Sequence, residues 1–245
     1  MPETSHLIAA LCIILLAHTV ETVTGFGCTV VAVALGAFFM RLENWIATLV
    51  VLALVQSAWL ILRGWRHIRW GVLLKRIIPC CTLGMPLGFV SFEMLASSAL
   101  KHVLGGFVVV VAGAELYRLF RQEHAPRPLP EWAGAGLLAG GGFFHGLFAS
   151  GGPLVVYYAS RVIEGKAGFR ATLSCLWLAL NIGLMTTFAL TGRLNDWSLV
   201  EPLVLLPALV SGIVLGEFLH GRVNELAFKK AVQVLLFLTG LSLLV

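Results

Sequence analysis

Charge is what this sequence has least of. Asp, Glu, Lys and Arg make up 12% of its 245 residues, against 59% hydrophobic residues, whereas a soluble domain carries about 25% charged residues. That shortage excludes a water-soluble globular fold and leaves a polytopic membrane protein. Catalytic signatures are missing as well. GLFASGG at 146–152 is not followed by Lys-Ser/Thr, so it is no P-loop, and no G-x-S-x-G occurs. The five cysteines (Cys12, Cys28, Cys80, Cys81, Cys175) form no C-x-x-C and have no His at metal spacing. They read as small packing residues, and no metal, cofactor or enzymatic activity is expected. The opening MPETSHL lacks a basic n-region and a small-residue cleavage site, so the first apolar segment is expected to stay in the mature chain. The net charge of +5 is confined to a few short loops, the mark of membrane orientation and not of nucleic-acid binding.

What is present is a series of apolar runs, at 7–40, 44–62, 71–92, 99–119, 132–160, 170–191, 198–219 and 227–245. A helical span needs about 20 residues. Most runs fit one crossing each, but 7–40 and 132–160 are too long, and both are broken in the middle. The second holds GGGFFHGLFASGGP, Gly140 to Pro153; the first holds a fainter echo, ETVTGFGC, Glu21 to Cys28. Gly costs about 1 kcal/mol against Ala inside a helix. Pro153 lacks an N–H and drives Ser150-Gly151-Gly152 away from helical backbone. Hydrocarbon tolerates free backbone groups only where protein or a water-filled cavity satisfies them. Each long run is therefore read as a pair of shorter helices folded back on itself, bent at Gly25-Phe26-Gly27 and at Ser150-Gly151-Gly152. Two such breaks, one per half, point to a transporter's substrate site.

Loop charge supports the hairpins. Arg63, Arg66, Arg69, Lys75 and Arg76 fall in 63–76 with no acid, which places that segment in the cytoplasm. Counting spans forward, 118–127, 161–170 and 220–230 are inside and basic, while 93–101 and the Arg193/Asp196 loop are outside and nearly neutral. A single crossing by 132–160 would put Arg222, Lys229 and Lys230 outside. The halves also match. A shift of 125 places TGFGCTVV on ASGGPLVV and Gln56 on Asn181; a shift of 128 places Pro79 on Pro207, Gly84 and Gly88 on Gly212 and Gly216, and Lys101 on Lys229. Corresponding loops lie on opposite sides, so the repeat is inverted. The expected architecture is an all-α polytopic membrane protein of two inverted-topology repeats, 1–120 and 132–245, joined by a polar Pro-rich linker, 121–131. Each repeat is a glycine-broken helical hairpin followed by three transmembrane helices. Trp45, Trp59, Trp65, Trp70, Trp132 and Trp197 lie near run ends and read as an interfacial belt.

These residues in this order resemble the sulfite exporter TauE/SafE family of membrane permeases across nearly the whole chain. The resemblance is carried by TGFGCTVVAVALGAFF in the first half. In the second half it is carried by GLFASGGPLVVYY, the loop Glu164-Gly165-Lys166 and FRATLSCLWLALN. Many members show a fuller glycine run in the first half than Thr24-Gly25-Phe26-Gly27. The resemblance implies transport of small sulfur-containing anions, such as sulfite and organosulfonates, across the bacterial cytoplasmic (inner) membrane, usually outwards. Alternating access around a midplane site at the two broken hairpins is the expected mechanism. An anion channel, or an importer of another small organic anion, is the alternative. Proton or cation coupling and homo-oligomer formation stay open.

Helix N-termini present unpaired N–H groups and about half a positive charge. Helices beginning just after Gly27 and Gly152 would aim those ends at an anion without a buried Lys or Arg. Gly25-Phe26-Gly27 and Gly151-Gly152 form the tips, with hydroxyls from Thr22, Thr24 and Ser150; close helix packing is the competing role for the glycines. Gln56 and Asn181 offer amide donors and an acceptor at matching repeat positions, or else interhelical hydrogen bonds. Trp177, four residues before Asn181, shares its helix face and would wall the site. Arg170 opens the span carrying Asn181, either as a fork-shaped anion donor or as a positive-inside anchor. Glu21 and His145, with His18 one turn before Glu21, are intramembrane ionisable residues and candidates for proton coupling; structural pairing is the other role open to Glu21.

Overall fold

The computed structural model describes residues 4–24, 26–121, 129–194, 196–219, 222 and 224–245. Gly25 and most of the 121–131 linker lie outside the described residues. All regular structure among the described residues is helical. Among the described residues six helices are long and apolar enough to cross a membrane: Ser5–Thr24, Leu42–His67, Trp70–Met94, Ser97–Phe120, Lys166–Leu190 and Val200–Leu219.

The first break falls where glycine permits it. Helix α1 (Thr4–Thr24) ends one turn short of α2 (Cys28–Gly36), and Gly27 between them has φ 103°, a backbone conformation that costs only glycine little. With nine residues, α2 is about 14 Å long, half a hydrocarbon core of about 30 Å. After it come α3 (Leu42–Gly64) and a short α4 (Trp70–Val72), which runs through a π-helical turn at Leu73–Ile77 into α5 (Ile78–Met94). Helix α6 (Ser97–Arg121) completes the first half. The second half repeats the order with α7 (Glu131–Phe148), α8 (Gly152–Val162), α9 (Lys166–Leu190), α10 (Asp196–Leu219) and α11 (Glu225–Ser242). Asn224 caps α11, its Oδ1 accepting from the Leu226 and Ala227 N–H groups at 3.0 and 3.1 Å.

Both long runs are folded back as read, but their arms are unequal. Helix α1 spans 21 residues and α7 18, against 9 and 11 for α2 and α8. Each hairpin is therefore a long helix followed by a half-length one. In the second, Gly134 meets Tyr158 and Gly141 meets Val155, so α8 runs back along α7.

The described helices gather into two compact units that interleave along the sequence. One takes 1–45, 95–124 and 200–245, the other 46–94 and 125–199. Each combines one hairpin with helices from the other half of the chain. Within the second unit, α5 and α7 approach until backbone touches backbone. A Cβ on Gly84 or Gly88 would overlap the Ala139 or Phe143 carbonyl, and one on Gly142 or Gly146 the Cys81 or Met85 carbonyl. Within the first unit, Gly212 and Gly216 of α10 lie against α1 at Leu15, His18, Thr19 and Thr22. There the Thr19 hydroxyl also reaches the Gly212 carbonyl, at 3.2 Å. Apolar helices gain little from each other's burial in lipid, so small residues that allow such contact supply the packing energy.

One interfacial expectation is corrected. Trp45 is buried, its indole N–H donating to the Ala32 carbonyl at 2.8 Å and its ring filling the space over Gly36. A run end places a residue near a membrane face only when no neighbouring half-helix covers it, and α2 covers this one. Trp59, Trp65, Trp70 and Trp132 are exposed; the side chain of Trp197 lies outside the described residues.

Candidate functional site

The second hairpin turns on an alanine. Helix α7 stops at Phe148, and Ala149 takes φ 53° with its N–H donating to the His145 carbonyl at 2.7 Å. A side chain in that left-handed region costs roughly 1–2 kcal/mol, strain of the kind retained at functional sites. Ser150 and Gly151 follow, and α8 begins at Gly152 with Pro153 in its first turn, where a missing N–H does least harm. Gly151 is pressed against the Gly141 carbonyl, and a Cβ added there would lie 3.1 Å from Cβ of His145. Gly152 faces Trp177, whose Cζ2 would be 3.9 Å from an added Cβ.

Helix α9 closes the other side. The Trp177 indole stacks on the His145 imidazole, with centroids 5.8 Å apart and planes 14° from parallel. One turn on, the Asn181 amide lies beside the same imidazole. Six of the anticipated residues, His145, Ser150, Gly151, Gly152, Trp177 and Asn181, are thus brought together at the N-terminus of α8. Three of these polar side chains are almost wholly enclosed, at 2% (His145), 1% (Ser150) and 1% (Asn181) exposure. Yet Ser150 Oγ has no hydrogen-bond partner, and neither do the His145 nitrogens or Asn181 Oδ1 beyond the approach of these two side chains to each other. A buried polar atom left unpaired costs about 1–3 kcal/mol. Four such atoms around one helix N-terminus are more than a packed core of this size ordinarily leaves.

The first hairpin is arranged differently. Glu21 reaches forward and its carboxylate accepts the N–H of Cys28, the first residue of α2, at 3.0 Å. The positive end of α2 is thereby met by a charge from the chain itself. The Thr22 hydroxyl donates to the His18 carbonyl at 2.7 Å. Thr24 Oγ1 sits between the Val20 and Phe26 carbonyls at 2.8 and 2.7 Å. Phe26 and Gly27 are half-buried and His18 is buried; Gly25 lies outside the described residues.

Gln56 is wholly buried in α3. Arg170 is half-buried near the start of α9, eleven residues and so roughly 16 Å along the helix from Asn181, and does not reach the hairpin tip. Two features were not anticipated. The strain at Ala149 has no local signal, since glycines flank the bend and invite it elsewhere. The Glu21–Cys28 bond joins residues seven apart across a break, a spacing that no helix-capping pattern contains. Among the described residues no three His, Cys, Asp or Glu are grouped to hold a metal ion.

A family model described as "Sulfite exporter TauE/SafE" matches residues 10–243. The "Probable inner membrane transporter protein TsaS" of Comamonas testosteroni is 30% identical over 186 residues, covering 74% of this chain and 74% of that protein. No solved structure matches the chain.

Proposed function

The chain belongs to the sulfite exporter TauE/SafE family and is a multi-pass inner-membrane transporter; from that premise we propose that it exports small sulfur-containing anions, sulfite or organosulfonates, by alternating access at the tip of the second hairpin. The observation that carries this reading is the set of unpartnered buried polar atoms on His145, Ser150 and Asn181 around the start of α8. Backbone N–H groups of a first helical turn and the Ser150 hydroxyl are donors suited to anion oxygens. Trp177 walls the site, and Gly151 and Gly152 let the ligand approach the backbone.

An eleven-residue α8 is about 16 Å long, which supports a tip near the membrane midplane. The two glycine seams support an inverted repeat: Gly84 and Gly88 pack on the long arm of the second hairpin, and Gly212 and Gly216 on that of the first. Glu21 and His18 on the first hairpin, with His145 on the second, remain the candidates for proton coupling. Gln56 is a further candidate amide in the same unit as Asn181, and Arg170 serves as a cytoplasmic anchor.

The test is sulfite uptake into proteoliposomes holding the purified protein. Saturable flux, lowered about tenfold or more by Ser150→Ala and by Asn181→Ala through loss of one hydrogen bond each, is the expected result. Non-saturating flux shared with chloride would make the protein a channel. Absence of flux for any sulfur anion would remove the substrate class.

A further inference from the structure

We propose, resting on the anion site just described, that the α8 site selects a monoanion bearing a hydroxyl hydrogen, such as hydrogen sulfite or a hydroxyalkanesulfonate, and turns away dianions such as sulfate. Two observations carry this, one of charge and one of hydrogen bonding.

Among the described residues of the unit that builds it, no full positive charge reaches the site. Helix α7 carries no Lys or Arg, and neither does α5, which packs against it. On α8 the basic residue is Arg161, nine residues and so roughly 14 Å beyond Gly152, and its guanidinium is stacked on Tyr157. On α9, Lys166 and Arg170 both precede Asn181 by at least eleven residues. Contacts of Gly64 with Ala171, of Gly168 with Arg69 and of Arg76 with Glu131 gather the remaining basic segment, 63–76, at the ends of α7 and α9 remote from the tip. Arg193 is held at the opposite end of α9 by Glu93, at 2.6 Å. From the described residues of this unit the ligand therefore meets a helix N-terminus worth about half a charge and neutral dipoles. Attraction to those rises in proportion to ligand charge, but the cost of removing an ion from water rises with its square. Doubling the charge doubles the gain and quadruples the cost.

The second observation is that the site asks for a donor as well as offering several. Beyond the approach of Asn181 and His145 to each other, Asn181 Oδ1 meets no donor, and a neutral imidazole keeps one acceptor nitrogen beside its one N–H. Anion oxygens would be repelled by both acceptors. A ligand O–H satisfies one of them while its sulfonate oxygens take the Ser150 hydroxyl and the α8 N–H groups.

The experiment is calorimetric titration of the purified full chain with four probes: 2-hydroxyethanesulfonate, ethanesulfonate, sulfate and 1,2-ethanedisulfonate. The hydroxylated monoanion is expected to bind about tenfold tighter than ethanesulfonate, the worth of one buried hydrogen bond. The two dianions are expected at least about a hundredfold weaker than it. Asn181→Ala should bring hydroxyethanesulfonate down to the ethanesulfonate level and leave ethanesulfonate nearly unchanged. A merely structural role for Asn181 would weaken both alike and keep their ratio. If that variant does not fold, the four wild-type affinities decide alone. Dianions binding as tightly as hydroxyethanesulfonate would overturn the charge selection while leaving the transporter reading intact. Equal affinity for the two monoanions would overturn the donor requirement. No binding by any probe would remove the anion site, and this inference with it.

Discussion

The two broken hairpins share a design and differ in what meets the N-terminus of the short arm. In α1–α2, the Glu21 carboxylate accepts the Cys28 N–H, and the Thr22 and Thr24 hydroxyls are engaged with nearby carbonyls. In α7–α8, the acids of α7 and of the α8–α9 connection, Glu131 and Glu164, lie at the ends away from the tip. His145, Ser150 and Asn181 are enclosed at the tip with unpaired polar atoms. One tip is capped from within the chain, and at the other buried polar atoms are left over. The lesson is that a glycine break creates a helix N-terminus inside a membrane, but neighbouring side chains decide whether that terminus is a structural joint or a binding site.

Substitutions should separate joint from site by size of effect. The largest is expected at the α5–α7 seam. Gly146→Ala sets a methyl group on the Met85 carbonyl with no room to shift, an overpacking cost of about 3 kcal/mol or more. Loss of a monodisperse peak in detergent size-exclusion would register it. Gly27→Ala at the first tip meets no atom within 4 Å but must hold φ 103°. It should cost only the roughly 1–2 kcal/mol of a left-handed side chain. A Gly27 variant as damaging as the Gly146 one would mean that the first tip is packed as tightly as the seam.

Next in size is the internal cap. Glu21→Ala should lower stability by about 1 kcal/mol, as removal of a helix-capping acceptor does. Glu21→Gln, which keeps an acceptor oxygen, should recover most of that in thermal unfolding. Equal loss in both variants would assign the effect to charge and not to the hydrogen bond. The smallest effect is expected at Ala149. Glycine there relieves roughly 1–2 kcal/mol of strain but adds about 0.4–1 kcal/mol of unfolded-chain freedom. Ala149→Gly should therefore stabilise slightly, and a lower melting temperature would show that the alanine methyl is held by packing.

Much of the hairpin geometry was legible in residue order. Glycines and Pro153 interrupt apolar runs longer than one span, and the short arms do begin at Cys28 and Gly152. The face shared by Trp177 and Asn181 followed from helical spacing, and both converge on His145. Legibility ended where partners come from elsewhere in the chain. Nothing local places Trp45 under the Ala32 carbonyl, or tells that Arg170 stays a long way from the tip while Gly151 sits on Gly141.

Composition, run length and the glycine and proline breaks determined by themselves that this is a helical membrane protein whose two over-long runs are broken and folded back. Membrane thickness and backbone conformational cost act on each segment independently, so those features need no knowledge of the rest. Which tip is capped and which left open, and how helices from the two halves interleave into two units, only the tertiary structure decided. A hydrogen bond forms or fails over a few tenths of an ångström, and such distances are set by packing between segments far apart in sequence.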